Sequence, residues 1–283
     1  MQQTHLVQES IEEVNSNLFI EVFMKQFIET YWKTLLFFAI VGLIGGFFTG
    51  LFVLDSYPPE MQQQLFDELA ASGLGGFPPD IIMGIITAMQ AAGYGIALGA
   101  AGIWLGKKTS LWKDERTITK QPFIASIIVA AIGGMALILF DILFFCKYSV
   151  IIRESYNTKP TISFLLASVL YGGVIEEVML RLFWMTLVVF VLWKVFDRKN
   201  ERPSTVILIT ANIIAALLFA AGHLPATAAT LGLSPMIVFR CFLLNGGCGL
   251  LFGWLYRKYG LRYSMIAHGG CHIVSKLIWI LCI

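Results

Sequence analysis

Of 283 residues, 57% are hydrophobic and only 13% charged, with a formal net charge of +2 and a mean hydropathy of +0.76. A soluble domain carries about 25% charged residues, so this composition excludes an ordinary water-soluble fold and points into lipid. Nothing in the chain has the basic footprint of a nucleic-acid binder.

Residues 1–33 read as an amphipathic helix at the cytoplasmic surface, with Ile11, Val14 and Leu18 on one stripe and Glu9, Glu12 and Glu13 mostly off it. This stretch is acidic, and the first apolar run is too long for the hydrophobic region of a signal peptide, so that run is expected to stay as a membrane helix. Runs able to cross a hydrocarbon core of ~30 Å fall at about 34–54, 81–106, 122–145, 161–196, 204–224, 235–256 and 263–283. The expected fold is all-α, a polytopic transmembrane bundle of about seven spans, or eight if the long fourth run divides. Three parts follow: a cytoplasmic segment 1–33, three spans within 34–160, and a core over 161–283. The segment 55–80, with Pro58, Pro59, Gly73, Gly75, Gly76, Pro78 and Pro79, reads as an irregular external loop. Gly42, Gly46 and Gly50, and again Gly249 and Gly253, have the spacing of close helix packing, within one chain or between copies. Cys146, Cys241, Cys248, Cys271 and Cys282 form no CxxC pair and read as small packing residues.

Charge sets the orientation. With one crossing for the fourth run and a cytoplasmic N-terminus, twelve basic residues lie inside: Lys107, Lys108, Lys113, Arg116, Lys120, Lys194, Arg198, Lys199, Arg202, Arg257, Lys258 and Arg262. Three lie outside, Lys147, Arg153 and Lys159. Splitting the fourth run spoils this asymmetry, so a single long helix is expected. Asp141, Lys276 and Arg240 lie near span ends and are expected to snorkel to the interface. Asn212 and Asn245 are expected to bridge helices, with Asn245 also a candidate for the wall of a cavity.

Ionisable residues within the spans are the functional signal, because each is costly at bilayer depth. Glu176 and Glu177 are adjacent within YGGVIEEVMLRLFW, with Arg181 one turn beyond Glu177. The i, i+4 spacing predicts a Glu177–Arg181 ion pair. Glu176, about 100° around the helix, has no local cation and suits a general base or acid. His223, His268 and His272 lie in or beside later spans, and His268 and His272 share one helix face.

EEVMLR (Glu176, Glu177, Arg181), FAAGH (Phe219, His223) and HGGCH (His268, His272) occur in the order and at the intervals of a known family. Over roughly 160–275 the chain resembles the CAAX-protease and bacteriocin-processing (Abi, type II CAAX prenyl endopeptidase) family of intramembrane proteases. The resemblance implies peptide hydrolysis within the membrane, with Glu176 and His223 activating water and His268 donating to the oxyanion. Glu177, Arg181, Phe219 and Asn245 are supporting candidates. It also implies a multi-pass protein of a bacterial cytoplasmic membrane whose partners are the bilayer and a peptide or protein substrate, lipidated or not; nothing in the sequence sets its oligomeric state.

The chain departs from the family at His272, where asparagine is usual. A neutral imidazole can still donate one hydrogen bond. His223, His268, His272 and Glu176 also make a plausible set for a divalent metal such as zinc, so a metal-dependent and a metal-free hydrolase both stay open. A non-catalytic immunity or binding protein with the same fold is the alternative, and a proton-relay transporter the more distant rival. One site requires His223 and His268 at a common depth, with the uncharged segment 223–235 dipping into the protein.

Overall fold

The computed structural model describes residues 2–73, 76–114 and 117–283, with side chains for Val22 and from Met24 onward. The side chains of Ile11, Val14, Leu18, Glu9, Glu12 and Glu13 lie outside the described residues, as do Gly75 and Arg116. The chain forms two compact units, Met1–Phe37 and Phe38–Ile283. The described part of the first is helical throughout; the second holds everything considered below.

The protein is 86% helical, with no strand among the described residues. Among the described residues, seven helical segments are long and apolar enough to cross a membrane: Met24–Ser56, Pro79–Thr109, Lys120–Tyr148, Ile162–Phe196, Thr205–Leu231, Pro235–Tyr259 and Leu261–Cys282, here the first to seventh spans. The fourth is one uninterrupted helix, so the long apolar run does not divide. Between 28% and 44% of each apolar window is buried within the protein. The remainder presents side chains such as Ile85, Met89, Ile128, Ile132, Ile209 and Leu217 outward, a surface suited to acyl chains and not to water.

Chain punctuation is local. Thr161 Oγ1 accepts from the Phe164 amide at 3.1 Å at the start of the fourth span, and Ser234 Oγ accepts from Ile237 at the start of the sixth. Such caps satisfy amides that have no partner inside the helix. The sixth and seventh spans are joined through Gly260 at φ +106, a conformation open to glycine and strained for other residues. The segment after the first span, expected to be irregular, contains a helix, Pro59–Ala71; Pro59 sits at its first turn, where proline costs no hydrogen bond.

Small residues set the helix spacing. A Cβ on Gly42 would stand 2.8 Å from Ala91 O, and one on Gly46 2.6 Å from Thr87 O, so the first glycine series packs on the second span within one chain. Gly249 faces Ala216 in the same way, and Asn212 Nδ2 donates to Leu250 O at 3.1 Å, bridging the fifth and sixth spans. The seventh span packs on the third and on the first half of the fourth. Val129, Cys248, Phe252, Leu255, Ala267 and Cys271 form a buried cluster where the third, sixth and seventh spans meet.

Two expectations about charged residues differ from the structure. Asp141 and Arg240 do not reach outward separately. Arg240 Nε and Nη2 donate to Asp141 Oδ1 and Oδ2 at 2.6 and 2.5 Å, and Tyr156 donates to Oδ2 at 2.7 Å. Pairing removes the cost that snorkelling would have avoided. Lys276 is only 4% exposed, its Nζ 4.0 Å from the centre of the Phe164 ring.

Candidate active site

The glutamate pair lies at the junction of two π-helical stretches, Ala167–Glu176 and Val178–Met185. In such turns the backbone bonds run i to i+5, so neighbouring side chains diverge less than in an α-helix. Both carboxylates therefore point towards the seventh span, and both approach one ring. His268 Nδ1 is 2.9 Å from Glu177 Oε1, while His268 Nε2 is 3.9 Å from Glu176 Oε2. Helix-to-helix approach here is direct, because a Cβ on Gly173 would lie 2.8 Å from Gly269 Cα.

Glu177 is fully buried. Arg181 Nη1 lies 3.2 Å from its Oε1, so the expected ion pair is formed, although Nη1 is not aligned for a hydrogen bond. Ser264 Oγ donates to Oε2. Arg181 Nη2 donates to Gly249 O at 3.3 Å, and its guanidinium lies over Phe219 at 4.4 Å and Phe252 at 5.5 Å. An arginine facing aromatic rings and a carboxylate keeps its charge at a much smaller penalty than an isolated one.

The position of His268 is over-determined. Its ring stacks on Phe252 at 4.5 Å and meets the Phe219 ring edge-on at 5.5 Å. Phe219 also holds His223, ring to ring at 4.6 Å, so the two histidines flank a single aromatic side chain. His272 Nε2 is 3.2 Å from His268 Nε2. His272 reaches this position because Gly172 opposes it, where a Cβ would lie 3.1 Å from its Nε2 and 3.8 Å from Glu176 Oε2. Glu176 keeps a side-chain exposure of 20%.

The apolar segment of the fifth span runs to Leu231, eight residues past His223, which stands at the turn between its two helices, Thr205–Gly222 and Leu224–Leu231. The segment after His223 is a short helix, Leu224–Leu231, where an irregular dip was expected.

Hydrogen-bond partners fix the tautomers. His223 Nδ1 lies 2.8 Å from Phe219 O. A carbonyl oxygen only accepts, so Nδ1 carries the proton and Nε2 offers a lone pair. His268 Nδ1 likewise donates to the Glu177 carboxylate. In the neutral ring its Nε2 then accepts from His272 Nε2, and His268 Nε2 can donate only as an imidazolium.

Glu176, Glu177, Arg181, His268 and His272 thus form one contiguous set, and His223 joins it across Phe219. Asn245 does not: its Nδ2 turns back to Cys241 O at 3.1 Å on its own helix. Ser264, Phe252 and Gly172 were not singled out from sequence. Ser264 sits one turn before His268, which is the signal that could have found it. Among the described residues no group of three or more His, Cys, Asp or Glu side chains is placed to hold a metal ion. His268 has one nitrogen committed to Glu177, and its other faces a histidine nitrogen at hydrogen-bond distance. The donor set as arranged does not meet a zinc ion's needs.

Residues 158–274 match the family model described as type II CAAX prenyl endopeptidase Rce1-like. The matched segment contains all eight site candidates. Comparison with curated proteins and with solved structures gives no match.

Proposed function

We propose, taking residues 158–274 as a type II CAAX prenyl endopeptidase Rce1-like domain, that this multi-pass membrane protein hydrolyses a peptide bond within the bilayer. Glu176 takes a proton from water as the water oxygen attacks the carbonyl carbon, with the His223 Nε2 lone pair as the second acceptor, and returns that proton to the departing amine nitrogen as the C–N bond breaks. The attacked carbonyl oxygen receives its hydrogen bond from His272 Nε2 or from the imidazolium of His268. Donors placed in advance at that oxygen are worth most where water is excluded.

The observation that carries this reading is the unequal treatment of two adjacent carboxylates. Glu177 is sealed among Arg181, Ser264 and His268, whereas Glu176 is partly exposed and, among the described residues, has no arginine or lysine in contact, only His268 Nε2 at 3.9 Å. Twelve of the fifteen loop Lys and Arg residues counted from the sequence lie at the ends of the spans remote from His223, which supports a cytoplasmic N-terminus and entry of the peptide from the opposite side. The substrate is a peptide or protein segment, with or without a lipid.

The test is cleavage of a fluorogenic farnesylated peptide by the full chain in nanodiscs. General acid–base groups contribute about 10²–10⁴-fold, so Glu176→Gln and His223→Ala should each lower kcat by at least about 10²-fold while peptide binding persists. Full cleavage by both variants refutes the hydrolase. Tight binding by the wild type with no turnover supports the non-catalytic immunity or binding reading instead.

A further inference from the structure

The walls of the reacting centre are closed by close helix packing. A Cβ on Gly173 would stand 2.8 Å from Gly269 Cα, one on Gly134 2.7 Å from Cys271 O, and one on Gly249 3.2 Å from Ala216 Cα. These contacts fix the fourth span on the seventh, the third on the seventh and the fifth on the sixth, and in each of them backbone meets backbone. Inside, the His268 ring is wedged between Phe252 and Phe219, all three buried. A peptide placed between Glu176 and His223 therefore requires an element at the rim to move.

The Leu224–Leu231 helix has the features of that element. It starts directly after His223, and none of its eight residues is buried. Its sequence, LPATAATL, is uncharged, and it lies at the end of the fifth span opposite the twelve basic loop residues. Glycines bracket it. A Cβ on Gly222 or on Gly232 would meet nothing within 4 Å, and Gly232 has φ +71. Hinges are a few residues at element ends that absorb such backbone rotation. Two contacts hold the helix in place. Thr227 Oγ1 donates to Cys241 Sγ at 3.8 Å, and sulfur is a weak acceptor. Leu231 packs on the buried cluster of Phe145, Ile152, Ile237 and Leu244. The His223 ring is tied to the other side of the turn, through Nδ1 to Phe219 O at 2.8 Å.

We propose that the Leu224–Leu231 helix is a gate, pivoting between the His223 turn and Gly232, that swings off the sixth span to admit a peptide to Glu176 and His223. The inference rests on the protease reading, and its test is read without turnover. Opening breaks the Thr227–Cys241 contact and withdraws Leu231 from its cluster, while the Phe219 carbonyl keeps His223 in position. The same sequence thus supplies a fixed imidazole and a movable cover beside it.

The experiment ties the cover down. In Thr227→Cys the introduced thiol faces the native Cys241, and diamide joins the two: the thiols give up two protons and two electrons, and the azo group becomes a hydrazine. Association of a dansyl-labelled farnesylated peptide with the full chain in nanodiscs is followed by stopped-flow anisotropy. Cross-linking is expected to slow association at least about tenfold, with recovery on adding dithiothreitol, since binding that waits on a conformational step is slow. In the wild type and in Thr227→Cys/Cys241→Ser, diamide should change the rate by less than about twofold. A cross-linked chain that binds at the reduced rate overturns the proposal. So does a cross-link that fails to form, because Thr227 then does not stand beside Cys241. Hydrogen exchange of the unliganded wild type is the second measurement. Amides of residues 228–231 are expected to exchange at least about tenfold faster than those of 209–219, corrected for intrinsic rates, and equal protection overturns the gate. If no form binds the peptide, the protease reading fails and the exchange contrast decides the gate. A peptide that is admitted through the gate but never cleaved sinks the hydrolase and leaves the gate standing.

Discussion

Replacing Gly173 with alanine adds one methyl group at the closest approach of the fourth and seventh spans. That Cβ would stand 2.8 Å from Gly269 Cα and 3.0 Å from Gly269 N. Carbon atoms in contact settle at about 3.5–4.0 Å, and neither partner is a side chain that can rotate away. The helices must therefore separate by about 1 Å. Glu176 and Glu177 follow within one turn, so the 2.9 Å and 3.9 Å approaches to His268 lengthen together. Overpacking of this kind costs about 1–3 kcal/mol, and a 1 Å misplacement can cost about 10²-fold in rate. Gly269→Ala is the control. Its Cβ meets Val169 O at 3.6 Å and Val169 Cγ1 at 3.7 Å, which are ordinary contacts. Cleavage and thermal midpoint are measured for both variants in the same detergent. Gly173→Ala should lose most of its kcat/KM while Gly269→Ala stays within about threefold. Equal activity of the two variants, in either direction, refutes the argument that backbone contact at this seam sets the site.

The Glu177–Arg181 pair should be strongly non-additive. Glu177→Met or Arg181→Met alone leaves a buried, uncompensated charge and should cost about 3–5 kcal/mol, whereas the double variant should recover much of this; a double-mutant cycle of unfolding free energies with no coupling would contradict the pairing. Outside the spans, Asp197 accepts from the Ser204 amide at 2.9 Å and from the Asn200 side chain. The Ser204 bond, and secondarily Asn200, holds its carboxyl below the usual carboxylate range. A lowered value in the folded chain stabilises the 197–204 turn above the ordinary value of about 3.9 and is lost as pH falls through the lowered one. Hydrogen exchange at the Ser204 amide, corrected for its intrinsic rate, should therefore quicken at low pH in the wild type and lose that dependence in Asp197→Asn.

The spans were legible because hydropathy and length suffice to define them, and the single fourth helix followed from the distribution of Lys and Arg. The roles of the site were legible only in part. The Glu177–Arg181 pair is local, so its spacing announced it. What brings Glu176 and Glu177 to one imidazole is a wide-turned backbone, and no residue type encodes i to i+5 bonding. Asp141 and Arg240 are 99 residues apart, so each read alone as a charge near a span end. The Pro59–Ala71 helix was hidden by its flanking prolines and glycines, although Pro59 stands where helices admit proline. His223 read as close to a span end because the apolar run was bounded at about 224; proline in the first turn of Leu224–Leu231 lets a helix resume beyond it.

Why two adjacent carboxylates occur at this depth follows from the ring between them. An imidazole offers a defined acceptor only if its other nitrogen is committed. Glu177 makes that commitment at Nδ1. Phe252 and Phe219 remove the ring's rotational freedom, so Nε2 has one direction, towards His272 and Glu176. On the proposed mechanism Glu176 is then the carboxylate with no arginine or lysine in contact among the described residues, since a partner such as Arg181 would engage the oxygens that are to take a proton from water.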